Sequence, residues 1–443
     1  MRTPLRHLME MLRASAWTIP TVLSAAAIAL AQFSLWVDHT LVGTKIPWYQ
    51  WVSTNSIESA RLQLSTIAAS VLSVAGVSFS SIVVTMTLAS QQFGPRLLRN
   101  FIKDKTSQAV LGSLIATFVY CLFILRGIRS AEESAFTPQL SVLLAFILVL
   151  ICLGLFIHFV HHVISVIQAE NVVHDSHQVF EETIDSMFPP VDDPPPEHRA
   201  EDNDLEGWQV VAGVTGYVQA ISFERLINVA AKADAVLLLN CRAGHFVTER
   251  QPAITVVEGP AADQADADFI EAIQSALFTG PVRTPEQDFE YGIRQLVEVA
   301  LRALSPGIND PMTAMNCIDY LSAGLQSAFA RPLPATIHRD EEGNIRLFTW
   351  KHTYESLVSA SFDQIRQAAR EHCDVSCRIL EALAHTANVA DLPEQQRALL
   401  QQAELINMNT LPALFNDYDC EAVRKRFSQV TRSCHLIHPF QNV

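Results

Sequence analysis

LQLSTIAASVLSVAGVSFSSIVVTMTLAS, residues 62–90, contains no Lys, Arg, Asp or Glu. A helix needs about 20 mostly apolar residues to cross the hydrocarbon core of a bilayer, and this stretch exceeds that length. Its polar residues are regularly placed. Thr66, Ser73, Ser80 and Thr87 recur every seventh position, and Ala69, Gly76, Val83 and Ser90 follow on a neighbouring line. A strict seven-residue repeat keeps a stripe on one helix face with a slow supercoil. The stretch therefore reads as a membrane-spanning helix with one face of hydroxyls and small residues and another of Leu64, Val71, Leu72, Val74, Val84 and Leu88.

Three more segments of similar character lie around it, at residues 16–37, 109–125 and 140–163, all free of charged side chains. Pro20 falls near the start of the first, where a missing N–H does least harm. The third is short and can extend back through residues 106–108. Residues 1–165 are thus expected to form a four-helix transmembrane domain. Orientation follows from the short loops, because cytoplasmic loops are rich in Lys and Arg. Arg2, Arg6 and Arg13 lead the chain, and Arg96, Arg99, Lys103 and Lys105 follow the second span. The other two loops hold only Lys45 and Arg61, and Arg126 and Arg129, the latter offset by Glu132 and Glu133. The N-terminus and everything after the fourth span are placed in the cytoplasm, which makes this a multi-pass membrane protein.

The stripe has two readings. Small residues permit close helix packing, and Ser and Thr hydrogen-bond across such contacts. Alternatively, copies of this helix surround a water-filled path lined by uncharged polar groups. On the second reading Thr66, Ser73, Gly76, Ser80, Thr87 and Ser90 line the path, and Gln91, Arg96 and Arg99 stand at its cytoplasmic mouth. Gly94 and Pro95 punctuate the helix end.

The fourth span ends in His158, His161 and His162. His158 and His162 have the four-residue spacing that can place two imidazoles on one metal, but nothing nearby completes a ligand set before Glu170 and His174. No metal centre is assigned. Apolar periodicity continues through residues 166–188, which read as an amphipathic helical stem. Pro189, Pro190, Pro194, Pro195 and Pro196, with acidic neighbours, mark residues 189–207 as a linker.

Residues 208–260 read as a small β-rich, barrel-like subdomain. Strand-like runs flank Gly213 and Gly216, residues 223–233 have helical spacing, and residues 235–240 and 253–257 are apolar strands. Residues 242–254 resemble the hairpin of lipoyl- and biotinyl-type barrels, with Glu249-Arg250 where that pattern has Gly. Lys232 lacks the flanking methionines of a modified lysine, so no cofactor is expected. Residues 261–443 read as mostly helical, with helices at 266–278, 288–304, 353–387, 392–406 and 424–432 and a strand pair at 336–339 and 345–348. Between helices lies Ser305-Pro306-Gly307-Ile308-Asn309-Asp310-Pro311. Asp310 before Pro311 is a helix start by cap and first-turn proline. The same turn, through Ser305, Asn309 and Asp310, is a candidate ligand site because a helix N-terminus presents free N–H groups to an anion. Asp288, Tyr291 and Arg294 are candidates to converge on it. The fold class is thus a membrane α-helical bundle plus a cytosolic α+β domain.

The chain carries 46 acidic and 31 basic residues, a formal charge of −15, and the acids concentrate after the spans. That balance argues against nucleic acid as a partner. The eight cysteines show no CxxC pair or zinc spacing; Cys373 and Cys377 share a helix face and read as reduced core. No GxSxG, P-loop, HExxH or dinucleotide fingerprint occurs, so no catalytic residue is assigned and the chain is not read as an enzyme.

Several strings together resemble a bacterial family of predicted membrane proteins, domain of unknown function 2254. They are ASQQFGPRLLRN (89–100), TFVYCLFILR (117–126), FIHFVHH (156–162), TGYVQAI (215–221) and ALSPGINDPMTA (303–314). The resemblance implies a bacterial inner-membrane protein of this architecture and implies no activity. From the residues, the expected function is a homo-oligomeric channel for ions or small solutes, with the bilayer and further copies of itself as partners. Four spans are few for a pore within one chain, and the spans lack the buried charges of a coupled carrier. The alternative is a membrane-anchored cytosolic sensor or scaffold.

Overall fold

A computed structural model describes residues 17–41, 56–94, 104–128, 138–166, 168–190, 196–198, 205–263, 265–414 and 416–434. The chain divides into two compact units, residues 1–168 and 169–443.

Among the described residues the first unit holds four long apolar helices: α1 (Thr18–Leu41), α2 (Ile57–Phe93), α3 (Lys105–Gly127) and α4 (Gln139–Val166). Each is long and apolar enough to cross a membrane. The helices α2 and α3 begin ahead of their apolar stretches because polar caps lie just outside them. Ser56 Oγ accepts the Ser59 N–H at the start of α2. Asp104 accepts the N–H groups of Thr106 and Ser107 at the start of α3, satisfying donors that a helix N-terminus otherwise leaves open. Gly94 ends α2 with φ +109°, a conformation that favours glycine. The α3 helix is the hub, packing against α1, α2 and α4. Leu114, Tyr120, Cys121 and Ile124 are its buried side chains. Close approach of α1 depends on Gly112, where a Cβ would stand 3.0 Å from the backbone of Pro20.

The second unit begins with α5 (Ala169–Met187). The segment expected as a stem is a core element here: Val173, Phe180 and Ile184 are fully buried, and α5 packs against α8 (Tyr291–Ala303) and α9 (Pro311–Phe329). Its apolar periodicity faces these helices. The strands are β1 (Trp208–Val211), β2 (Gly216–Ile221), β3 (Val236–Leu239), β4 (Phe246–Val247), β5 (Pro252–Glu258), β6 (Leu277–Gly280), β7 (Ile337–Arg339) and β8 (Ile345–Phe348). They form two open sheets in place of a barrel-like closure, a five-stranded one in the order β1-β5-β3-β8-β7 and a three-stranded one in the order β4-β2-β6. Among the described residues only β3 and β8 pair in parallel. The larger sheet thus draws two strands from residues beyond 330, across the subdomain boundary expected at 260. Short helices α6 (Phe223–Lys232) and α7 (Ala267–Gln274) accompany the strands, and Leu226, Leu237, Ile254 and Ile273 form the centre of this part.

Several helix boundaries differ from expectation: the helix expected at 424–432 begins two turns earlier, at Asp417, and the one expected at 392–406 runs on to Thr410. The helix expected at 266–278 stops at Gln274, and residues 277–280 become β6, because β2 offers an open edge on which Ile221 pairs Leu277 and Tyr217 pairs Gly280. The single helix expected at 353–387 is two, α10 (Tyr354–Ala368) and α11 (Cys373–Ala387). The Ser376 hydroxyl donates to the Ala369 carbonyl at 3.1 Å, which satisfies the end of α10 while the chain turns. Helices α12 (Pro393–Thr410) and α13 (Asp417–Ser433) complete the helical part, with Leu296, Leu321, Phe362, Leu380 and Leu399 fully buried between its helices.

Candidate functional site

The helical period sets which side of α2 each residue occupies. Ala60, Leu64, Ile67, Ala68, Val71, Ala75, Ser78 and Ala89 are buried, on the side that meets α3 and α4. The stripe falls about half a turn away. Thr66, Ser73, Gly76, Ser80 and Thr87 are exposed, Ser90 is half-buried and Gln91 is exposed. A Cβ added at Gly76 would meet nothing within 4 Å. Val77, Val84 and Leu88 flank the stripe on one side and Leu72, Phe79 and Val83 on the other, all exposed. Among the described residues no neighbouring span covers the stripe. Arg96 and Arg99 lie outside the described residues.

The stripe hydroxyls have a definite polarity. Thr66 Oγ1 donates to Leu62 O at 2.7 Å, Ser73 Oγ to Ala69 O at 2.9 Å, and Thr87 Oγ1 to Val83 O at 2.8 Å. Such bonds one turn back along the helix satisfy the hydroxyl hydrogen without a partner helix. The oxygen lone pairs remain available as acceptors.

Two polar clusters in this unit hold helix ends. Asp38 is fully buried and accepts from the N–H groups of Leu140 and Ser141 and from Ser141 Oγ. At the other end of α4, His162 Nε2 lies 2.9 Å from Asp104 Oδ2. His158 and His162 stack at 6.4 Å, so His162 is engaged with the α3 cap. Among the described residues no group of three His, Cys, Asp or Glu is arranged to hold a metal.

In the second unit the turn after α8 is built from local bonds. Asp310 caps α9, accepting from Thr313 N–H at 3.1 Å and Thr313 Oγ1 at 2.6 Å. Ser305 Oγ donates to Arg302 O, and Asn309 adopts φ +50° with its N–H on Ser305 O. Asp288 and Arg294 converge elsewhere. Arg283 Nε and Nη2 donate to the two oxygens of Asp288 at 2.5 and 2.7 Å, and Asp288 is fully buried. Beside it Glu290 receives Arg294 through Nε at 2.9 Å and Nη2 at 2.6 Å, and also pairs with Arg242. Burial works to raise the Glu290 carboxyl, but Arg242 and Arg294 outweigh it and hold it below the usual range. Gly244, at φ +87°, leaves room for this pair: a Cβ there would stand 2.5 Å from Arg283 Nη2.

Next to the charged cluster lies a cavity of about 390 Å³. Its walls are Ile221 and Phe223 at the end of β2 and start of α6, Leu239 at the end of β3, and Trp350 after β8. Arg242, Glu286, Gln287, His338, Thr349 and His352 are among its polar groups. None of these was singled out from the sequence, because they come from positions 221 to 352 and share no spacing motif.

The chain matches the family model described as "Predicted membrane protein (DUF2254)" over residues 13–385. The chain belongs to this family. Two uncharacterized proteins, of Mycobacterium tuberculosis and Mycobacterium bovis, are 27% identical to it over 410 residues, covering 90% of this chain and 77% of theirs. No solved structure matches the chain. As a DUF2254 protein it is a membrane protein with four candidate spans.

Proposed function

We propose that this DUF2254 protein is a homo-oligomeric channel of the bacterial inner membrane, in which copies of α2 face one another around a path for ions or small solutes. The observation that carries the reading is the placement of the stripe. Thr66, Ser73, Gly76, Ser80 and Thr87 point away from the packed side of their own bundle, which leaves them open to another copy. A stripe of hydroxyls flanked by Leu72, Val77, Phe79 and Val84 suits a surface whose edges pack on a neighbour and whose centre faces water. Because Thr66, Ser73 and Thr87 donate their hydrogens to their own backbone, the lining offers oxygen acceptors, which suits a partly hydrated cation. The Lys and Arg distribution of the loops puts the N-terminus and the C-terminal unit in the cytoplasm, where that unit would act as vestibule or gate.

The test is ion flux through purified protein in liposomes under several salts, with Ser80→Leu and Gly76→Leu alongside. Cation flux that both substitutions abolish is the expected result. Flux unchanged by either would remove α2 from the path, and no flux from folded oligomeric protein would favour the second reading. That second reading, a membrane-anchored cytosolic sensor, draws on the cavity beside Arg242 and His352.

A further inference from the structure

We infer that the cavity of the C-terminal unit is a binding site for a flat, uncharged heteroaromatic compound carrying hydrogen-bond acceptors. The inference stands apart from the channel reading: binding is measured without flux, and either can fail alone.

The size comes first. About 390 Å³ falls in the lower part of the range for small-molecule sites, which are mostly apolar with a few placed polar groups. Here Ile221, Leu239, Phe223 and Trp350 supply apolar and aromatic wall. The ring of Phe223 lies 5.3 Å from that of His338, and Trp350 is held edge-on by His245 at 5.2 Å. Aromatic walls held in this way favour a flat occupant.

Charge comes next. Arg242 is the fixed cation of the lining, and it is already paired with Glu290; Glu286 also stands in the lining. The Arg242–Glu290 pair is closed, so no excess positive charge is left to recognise an anion, and Glu286 is exposed to solvent, where its pull on a cation is screened. Burial, and then the Arg242 guanidinium, lower His352 to about 4, and burial lowers His338 as well. Both imidazoles are therefore neutral at physiological pH, each with one donor and one acceptor nitrogen.

Hydrogen bonding narrows the class. Arg242 Nε and Nη1 are sealed from the cavity, so the donors of the lining that can meet an occupant are the neutral imidazoles of His338 and His352, and these call for acceptors on the occupant. A heterocycle with ring nitrogens or a carbonyl brings them, whereas a hydrocarbon does not. His338 Nε2 lies 3.2 Å from Thr349 Oγ1, which fixes the imidazole against the wall.

The experiment uses the full chain in lipid nanodiscs, titrated calorimetrically with 4-quinazolinone, 2-naphthoate and 2-naphthylmethylammonium, with empty nanodiscs as blank. Saturable binding of 4-quinazolinone, one per chain and at least about tenfold tighter than either ion, is the expected result. Ala335→Trp, which fills the cavity, should abolish it. His338→Phe, which keeps the flat ring and removes its nitrogens, should weaken it by about tenfold and stands as the second variant if Ala335→Trp does not fold. Absence of saturable quinazolinone binding, equal or tighter binding of an ion, or binding untouched in every folded variant would overturn the inference.

Discussion

Asp38 and Ser141 join the first and last spans: the Asp38 carboxylate accepts the Ser141 backbone N–H at 2.9 Å and the Ser141 hydroxyl at 2.7 Å. The second carboxylate oxygen takes the Leu140 N–H at 2.9 Å, so a residue at the end of α1 caps α4. Tyr120 of α3 closes the cluster, donating to Ser141 O at 3.0 Å with Ser34 Oγ at 3.1 Å. Three helices are thereby held at one end by polar groups with almost no access to solvent. Asp38→Ala removes a cap and leaves two buried N–H groups open. It should cost about 2 kcal/mol, seen as faster labelling of the buried thiols Cys121 and Cys152 by a thiol-reactive dye on heating.

Phe180 of α5 is seated on two glycines. A Cβ at Gly324 would stand 2.2 Å from the Phe180 ring, and one at Gly292 would stand 2.7 Å from the Phe180 Cα. Gly324→Val should destabilise the second unit by more than about 3 kcal/mol through overpacking. Combining Gly324→Ala with Phe180→Leu should recover part of the loss of Gly324→Ala alone. Urea unfolding followed by tryptophan fluorescence distinguishes the two, and additive losses would mean that the ring does not set the constraint.

The Arg283–Asp288 pair should behave as a buried pair does when broken from one side. Asp288 is fully buried and Arg283 mostly so. Asp288→Asn leaves the guanidinium only the more distant Glu290, at 4.0 Å, at a cost of about 3 kcal/mol. Arg283→Met with Asp288→Leu should be the milder change, because no charge is stranded. A double variant as unstable as Asp288→Asn would show that the geometry of the pair, and not its charge balance, holds the segment after β6.

Acid should weaken the second unit through His352. Its folded value is about 4, against roughly 6.5 when unfolded, so between those values the unfolded chain binds the extra proton. Stability conferred by the neutral ring is complete above about pH 6.5 and is lost as pH falls towards 4. The groups around it are Arg242, Glu290 and His245; Arg242 and His245 add to the shift and Glu290 opposes it. From pH 7 to pH 5 the loss is at most about 2 kcal/mol, and it should shrink in His352→Phe. Equal acid sensitivity in both proteins would assign the effect to other groups.

If copies of α2 meet along the stripe, Ser80→Cys should cross-link between chains in membranes above the background of the eight native cysteines. Ala68→Cys, whose site is buried within the bundle, should not. Equal yields from the two positions would place the contact between copies elsewhere.

The four spans were readable from sequence because their cause is local: unbroken apolar runs of sufficient length have one stable environment. The extra turns at each end were less plain, since they depend on single caps such as Ser56 and Asp104. In the second unit, β3, β5, β7 and β8 were found by their short apolar or alternating runs, and α9 by Asp310 and Pro311. The strand at residues 277–280 was not, because Leu277 and Phe278 continue an amphipathic helical pattern and only the edge of β2 makes them a strand. The break at residues 369–372 was missed for a similar reason. It holds no proline or glycine, and it is closed by Ser376 reaching back to Ala369.

The sequence by itself determined that α2 carries a seven-residue stripe and that no charge interrupts it. It left open whether the stripe packs inward or faces outward, because both arrangements have the same period. Only the packing of α3 against the Leu64, Ala68, Val71 and Ala75 side decided that the hydroxyls face away from the bundle. The cavity and the ionic cluster were likewise a matter of tertiary structure. Arg242, Arg283, Asp288, Glu290, His338 and His352 are separated by up to about a hundred residues, and their segments are brought together by the pairing of β3 with β8 and of β6 with β2. Periodicity is a property of one segment, whereas a site built from several segments exists only once they pack.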